Sequence, residues 1–110
     1  MEELDRAAIY RLHAQFCKTL SDANRLLIIA ELAKGEASVS ELAQRLQLQQ
    51  ANMSKHLGLM RERGLVVARR EGANVYYALS DPRIIQAIKL LKEVQADQIE
   101  KQYSLAQGSP

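Results

Sequence analysis

A mainly α fold with one small β-hairpin is what this sequence predicts, and three observations carry that prediction. Apolar residues recur at helical spacing along most of the 110 residues. Two β-favouring runs, 65–70 and 75–79, flank a Gly- and Asn-containing stretch at 71–74. Upstream of them stand a short capped segment, a tight polar turn and a second helix.

The first helix is expected over 4–19, where Leu4, Ala8, Leu12 and Phe16 make one stripe. Ser21 is placed as the cap of a second helix at 22–34. There Leu26, Leu27, Ile28, Ile29 and Leu32 occupy most of the circumference, so this should be the buried central helix. Gly35 takes the left-handed position past its end. Ser40 caps a short helix with Leu42 and Leu46 inward, and Gln47, Leu48, Gln49 and Gln50 form the turn. A fourth helix covers 50–63 and stops at Gly64. After the hairpin, Ser80 and Asp81 lead to Pro82, the first position of a last helix striped by Ile84, Ile88, Leu91 and Val94. The tail at 104–110 is expected to fray. With no repeat and no linker, 1–110 reads as a single domain.

Composition narrows the function. The apolar fraction of 47% and charged fraction of 25% are ordinary for a soluble protein. No apolar run approaches the ~20 residues of a membrane helix, and the acidic start at Met1–Asp5 lacks a signal-peptide pattern. A cytoplasmic location without membrane contact is therefore expected. A single cysteine, Cys17, excludes an internal disulfide and a multi-cysteine metal cage. No catalytic Ser/His/Asp or Cys/His spacing, phosphate-cradling glycine loop or paired carboxylates appears, which argues against an enzyme, and no cofactor is expected. The net charge of +2 is uneven: 45–76 carries six Lys/Arg against two acids, leaving the remainder negative. A basic segment in a slightly acidic chain suggests a polyanion-facing surface.

The fourth helix concentrates that surface. Met53, Leu57 and Met60 lie on one side at i, i+4, i+7, while Ala51, Lys55, Gly58 and Glu62 lie opposite, flanked by Asn52 and Ser54. Gln50 and Asn52 offer amides that read adenine; Ser54 and Lys55 suit phosphate or guanine. His56, at the edge of the apolar stripe, either packs or contacts phosphate. Gly58 costs about 1 kcal/mol of helix propensity, for close approach to a sugar-phosphate strand or for packing. Arg69 and Arg70 precede the turn, where they either reach a phosphate or minor groove or stand solvated. The segment 40–64 is thus expected to dock a helix-turn-helix in the major groove of double-stranded DNA. The stripes on both terminal helices predict pairing across a two-fold axis, the alternative being that each packs on its own domain.

The stretches at 16–26 (Phe16, Cys17 and Lys18 through Asp22, Ala23, Asn24, Arg25, Leu26), 52–57 (Asn52, Met53, Ser54, Lys55, His56, Leu57) and 69–77 (Arg69, Arg70, Glu71, Gly72, Ala73, Asn74, Val75, Tyr76, Tyr77) resemble the ArsR/SmtB family of winged helix-turn-helix transcriptional repressors. The resemblance runs through residues 8–95 in order. It implies a homodimer joined through the first and last helices, bound to a palindromic operator and released by an effector. It places recognition-helix contacts at Gln50, Asn52, Ser54, Lys55 and His56, and wing contacts at Arg69, Arg70 and Gly72. Two family metal sites are not matched. Where many members read Glu-Leu-Cys-Val-Cys-Asp-Leu, this chain has Glu36, Ala37, Ser38, Val39, Ser40, Glu41 and Leu42, with serines for both thiols. Asp81 of the second site remains, but Arg83 stands near the expected His and no His follows His56.

Cys17 has two readings: a small core residue beside Phe16, or a thiol sensing an effector or oxidant. His13 is read as a surface or dimer-rim residue. Tyr76 and Tyr77 alternate faces, so one should pack and the other be exposed. The alternative to a DNA-binding regulator is a winged-helix module that contacts protein.

Overall fold

The structure is a computed structural model that describes residues 5–108. Helix α1 (Arg6–Thr19) starts at Asp5, whose carboxylate accepts the Ala8 N–H at 2.6 Å. The stripe position Leu4 lies outside the described residues. Helix α2 (Ala23–Leu32) is capped by Asp22, which accepts the Asn24 and Arg25 N–H groups at 2.9 and 3.1 Å. Ser21, expected as the cap, instead donates its hydroxyl to the Lys18 carbonyl at 2.6 Å. A carboxylate is the stronger acceptor, and it holds the helix end one residue later. The chain leaves α2 through Gly35, at φ +144°, a value few other residues adopt.

Next comes a strand the sequence did not announce, β1 (Ala37–Ser38). Two residues are too few to display a period of two. Helix α3 (Val39–Leu46) begins directly after it. Its cap is Ser38, not Ser40: the Ser38 hydroxyl accepts the Glu41 N–H, and the Glu41 carboxylate accepts the Ser38 N–H at 3.0 Å. This reciprocal pair needs an acid three residues past the serine, which Ser38 has and Ser40 lacks. Gln47, at φ +55°, ends α3, and α4 (Gln50–Glu62) follows within three residues.

Strands β2 (Val66–Glu71) and β3 (Asn74–Leu79) form the expected hairpin, with Arg69 opposite Tyr76 and Arg70 opposite Val75. Gly72, at φ +62°, takes the first turn position, where a two-residue hairpin most needs glycine. β1 adds antiparallel to β3, giving the sheet order β1-β3-β2. Helix α5 (Arg83–Gly108) starts one residue after Pro82, with the Arg83 N–H held by Asp81. It stays helical through 104–108, where the sequence predicted a frayed tail; 109–110 lie outside the described residues.

The core joins Ile28, Ile29 and Leu32 of α2, Leu42 and Ala43 of α3, Met53, Leu57 and Met60 of α4, and Leu65 and Val66. Phe16, Leu46, Tyr77, Ile84, Ile85 and Ile88 pack on its edge. Helix α2 is less enclosed than its composition suggests, since Leu27 is half exposed and faces an apolar groove against α5. The outer helices are barer still. Tyr10 and Leu12 of α1 and Leu90, Leu91, Val94, Ile99, Tyr103 and Leu105 of α5 are each more than half exposed. Cys17 is exposed too, which corrects its reading as a core residue. Among the described residues no helix is long and apolar enough to cross a membrane.

Candidate nucleic-acid interface

Helix α4 sorts its side chains as its periodicity predicts. Met53, Leu57 and Met60 are fully buried and fix the helix on the core. Gln50, Ala51, Asn52, Ser54, Lys55, Gly58 and Glu62 are exposed on the other side. The Gln49 cap makes no side-chain hydrogen bond, and no acid stands in the first turn. Among the described residues the N–H groups at that end have no side-chain cap, and no first-turn acid offsets the positive end of the helix dipole. That arrangement favours an anion from outside the chain.

Three elements converge at this end. Ser38 and Ser40 at the start of α3, Gln50 and Ser54 of α4, and Ala73, Asn74 and Val75 at the tip of the hairpin line a cleft of about 280 Å³. Gln50 and Ser54 are thereby brought beside the turn that holds Gly72. Ser40 and Asn74 were not among the contact residues expected from the sequence. They join the cleft through tertiary folding, which leaves no local pattern. His56 is half-buried on the opposite flank of α4. The nearby Asp22 carboxyl is held below its ordinary pKa chiefly by the Arg25 backbone N–H, with His56 the smallest contributor. A Cβ at Gly58 would meet no atom of the described residues within 4 Å beyond its own chain neighbours and the adjoining helix backbone, so packing does not require the glycine.

The basic segment divides into paired and unpaired charges. Arg45 bonds Glu41 at 3.2 Å and approaches Glu31 at 3.9 Å. Arg69 is held by Glu36 and by Glu71, the latter at 2.8 Å, and lies 5.1 Å from the centre of the Tyr76 ring. These carboxylate bonds, Glu36 first, raise the Arg69 pKa, and Arg69 in turn holds the Glu36 carboxyl below its ordinary value. Tyr76 is thus covered and Tyr77 packs on the core, so neither tyrosine is the exposed one expected. Lys55, Arg61, Arg63 and Arg70 form no ion pair among the described residues.

The residues at the two unmatched family metal sites are engaged within the chain. Ser38 is consumed in the α3 cap and lies 3.4 Å from the Ser40 hydroxyl. Asp81 is bound to Arg83 at 2.7 Å, which pulls its pKa down to about 2. Among the described residues no three His, Cys, Asp or Glu side chains converge on one point. Cys17 Sγ lies 3.6 Å from His13 Nε2 on the exposed face of α1.

Residues 20–69 match the helix-turn-helix domain model. The chain is 39% identical over 74 residues to the biofilm growth-associated repressor of Agrobacterium fabrum, covering 67% of this chain but only 63% of that protein. It is 33% identical over 94 residues to the helix-turn-helix-type transcriptional regulator Rv0081 of Mycobacterium tuberculosis, covering 84% of this chain and 82% of the other. The crystal structure of Rv0081 superposes with a TM-score of 0.79 at 32% identity, over 86% of this chain and 96% of that one. The homodimeric winged helix-turn-helix DNA-binding domain Mb0332 of Mycobacterium bovis, described as a possible ArsR-family regulator, gives 0.76 at 31% identity, covering 86% and 89%.

Proposed function

The chain belongs to the ArsR/SmtB-type winged helix-turn-helix transcriptional regulators, and from that premise we propose that it acts as a homodimeric repressor on a palindromic operator. Its regulatory class is DNA-binding. The contact scheme is our own reading. Helix α4 enters the major groove, where Gln50 and Asn52 read base edges while Ser54, Lys55 and His56 meet phosphates. The hairpin forms the wing, with Arg70 and the close-approaching Gly72 against the backbone. The observation that carries this scheme is the polar outer face of α4, whose N-terminus lacks a side-chain cap, together with Lys55 and Arg70, which form no ion pair among the described residues.

The dimer reading is supported by the bare apolar side chains of α1 and α5 and by the homodimeric relative. Pairing through those helices would present two α4 helices about 34–36 Å apart, one DNA turn. The protein would act in the cytoplasm, where its DNA lies. The test is a mobility shift on the DNA upstream of its own gene across a salt series. A log affinity that falls steeply with log salt supports phosphate docking. Absent or salt-insensitive binding points to the alternative, a module that contacts protein.

Effector control through Cys17 has one observation in its favour, the accessible thiol beside the His13 imidazole. Peroxide should then release DNA from the wild type but not from Cys17→Ser. Release from both variants removes Cys17 from the mechanism.

A further inference from the structure

Strand β2 places two arginines in sequence, and the pleat sends them to opposite faces. They are not equivalent. Arg70 is exposed and forms no ion pair among the described residues. Arg69 uses all three guanidinium nitrogens. Nη2 and Nε donate to the two oxygens of Glu36, the second at 3.3 Å, and Nη1 donates to Glu71 at 2.8 Å. Its flat face covers the Tyr76 ring.

These partners lie on three separate parts of the fold. Glu36 immediately precedes β1 and the start of α3, Glu71 ends β2, and Tyr76 is on β3. Two carboxylates around one guanidinium leave a local surplus of negative charge. A phosphate approaching Arg69 meets that charge, and three of the five guanidinium N–H groups are already bound to carboxylates. A bidentate fork of this kind fixes direction as well as distance.

We propose that Arg69 is a positioning residue: it pins the wing to the segment entering α3 through Glu36, and so sets where Arg70 and Gly72 meet the DNA. This rests on the DNA-docking scheme above and removes Arg69 from the set of direct contacts that the sequence suggested.

The two roles for Arg69 predict opposite signs for one variant. Glu36→Gln would free an arginine that contacts phosphate and would remove a repulsive charge, so binding would tighten. If Arg69 is a pin, Glu36→Gln loosens the wing and binding weakens. The probe is a duplex that the wild-type protein recovers from a randomised library, titrated over a salt series. Arg69→Ala and Glu36→Gln should each weaken binding about twofold to fivefold, a range set by the modest strength of exposed ion pairs. The double variant should be little worse than either alone. Both should keep the wild-type salt slope, whereas Arg70→Ala should flatten it by about 0.9 per phosphate lost. Unchanged or tighter binding by Glu36→Gln overturns the proposal, as does an Arg69→Ala slope that flattens like that of Arg70→Ala. Hydrogen exchange on the DNA-free protein separates this from the docking scheme. β2 and β3 amides should exchange faster in Arg69→Ala and Glu36→Gln, even if the wild type recovers no duplex. Unaltered exchange in both variants counts against the pin.

Discussion

Lys55 and Asn52 lie three positions apart on the exposed side of α4, yet their substitutions should read out differently. Lys55→Ala removes a point charge, so it should weaken binding to every duplex and flatten the salt slope. Asn52→Ala and Gln50→Ala remove paired donors and acceptors. Each should cost about 1–3 kcal/mol against the preferred base and little against others. Competition between operator and single-base variants measures this, and equal losses on all sequences would reassign these amides to the backbone. The inward set Met53, Leu57 and Met60 was legible because one helix period specifies it. Leu57→Ala should accordingly destabilise the protein by about 2–5 kcal/mol in a denaturant titration. The partner of Arg69 was not legible. Glu36 is 33 residues away, and a contact at that separation leaves no local pattern.

Among the elements, the helices were readable from their apolar spacing, and α4 begins at Gln50 as expected, but the caps of α2 and α3 were misplaced. Ser21 and Asp22 compete for one cap, and Ser38 and Ser40 for another. In each case the geometry of the neighbouring residues decides. Ser38→Ala should remove the hydroxyl half of the α3 capping box, leaving the backbone N–H bond to Glu41, and cost about 1 kcal/mol of stability. Ser40→Ala should cost far less. If the two variants unfold at the same denaturant concentration, the cap assignment fails. The start of α5 carries a pH signature. Arg83 lowers the Asp81 pKa from 3.8 to about 2. The folded state therefore gains from the ionised carboxylate above about pH 4 and loses that gain as pH falls towards 2. Asp81→Asn should be less stable than wild type at neutral pH, and the two should converge on acidification. Parallel stability curves across that range would contradict the pairing.

For the whole molecule, the helix-turn-helix with its hairpin was apparent from element order, while β1 was hidden by its brevity. The outer stripes were apparent as stripes. Their occupant was less so, because a partner's surface is not written in one chain's periodicity. Ile84 and Ile88 pack inward, but Leu91 and Val94, on the same predicted stripe, stay open to solvent. Leu91→Glu with Val94→Glu should therefore yield a folded monomer by analytical sedimentation. Losing one of two linked half-site contacts should lower operator affinity on the order of a hundredfold. A dimer that survives both charges would place the interface elsewhere.

Gly58 brings the three scales together. It lies inside a helix, exposed, with room for a methyl group that would meet nothing in the described chain beyond its own neighbours and the adjoining helix backbone. Alanine there should stabilise the free protein by about 1 kcal/mol. That stability is forgone at a point on the outer face of the docking helix, so the clearance has value only when another molecule is present. Folding and function then pull in opposite directions at one methyl group, the stability–activity trade-off in its smallest form. Gly58→Ala should melt at a higher temperature and bind its operator less tightly. A variant that gains stability and keeps full affinity would show that the clearance goes unused.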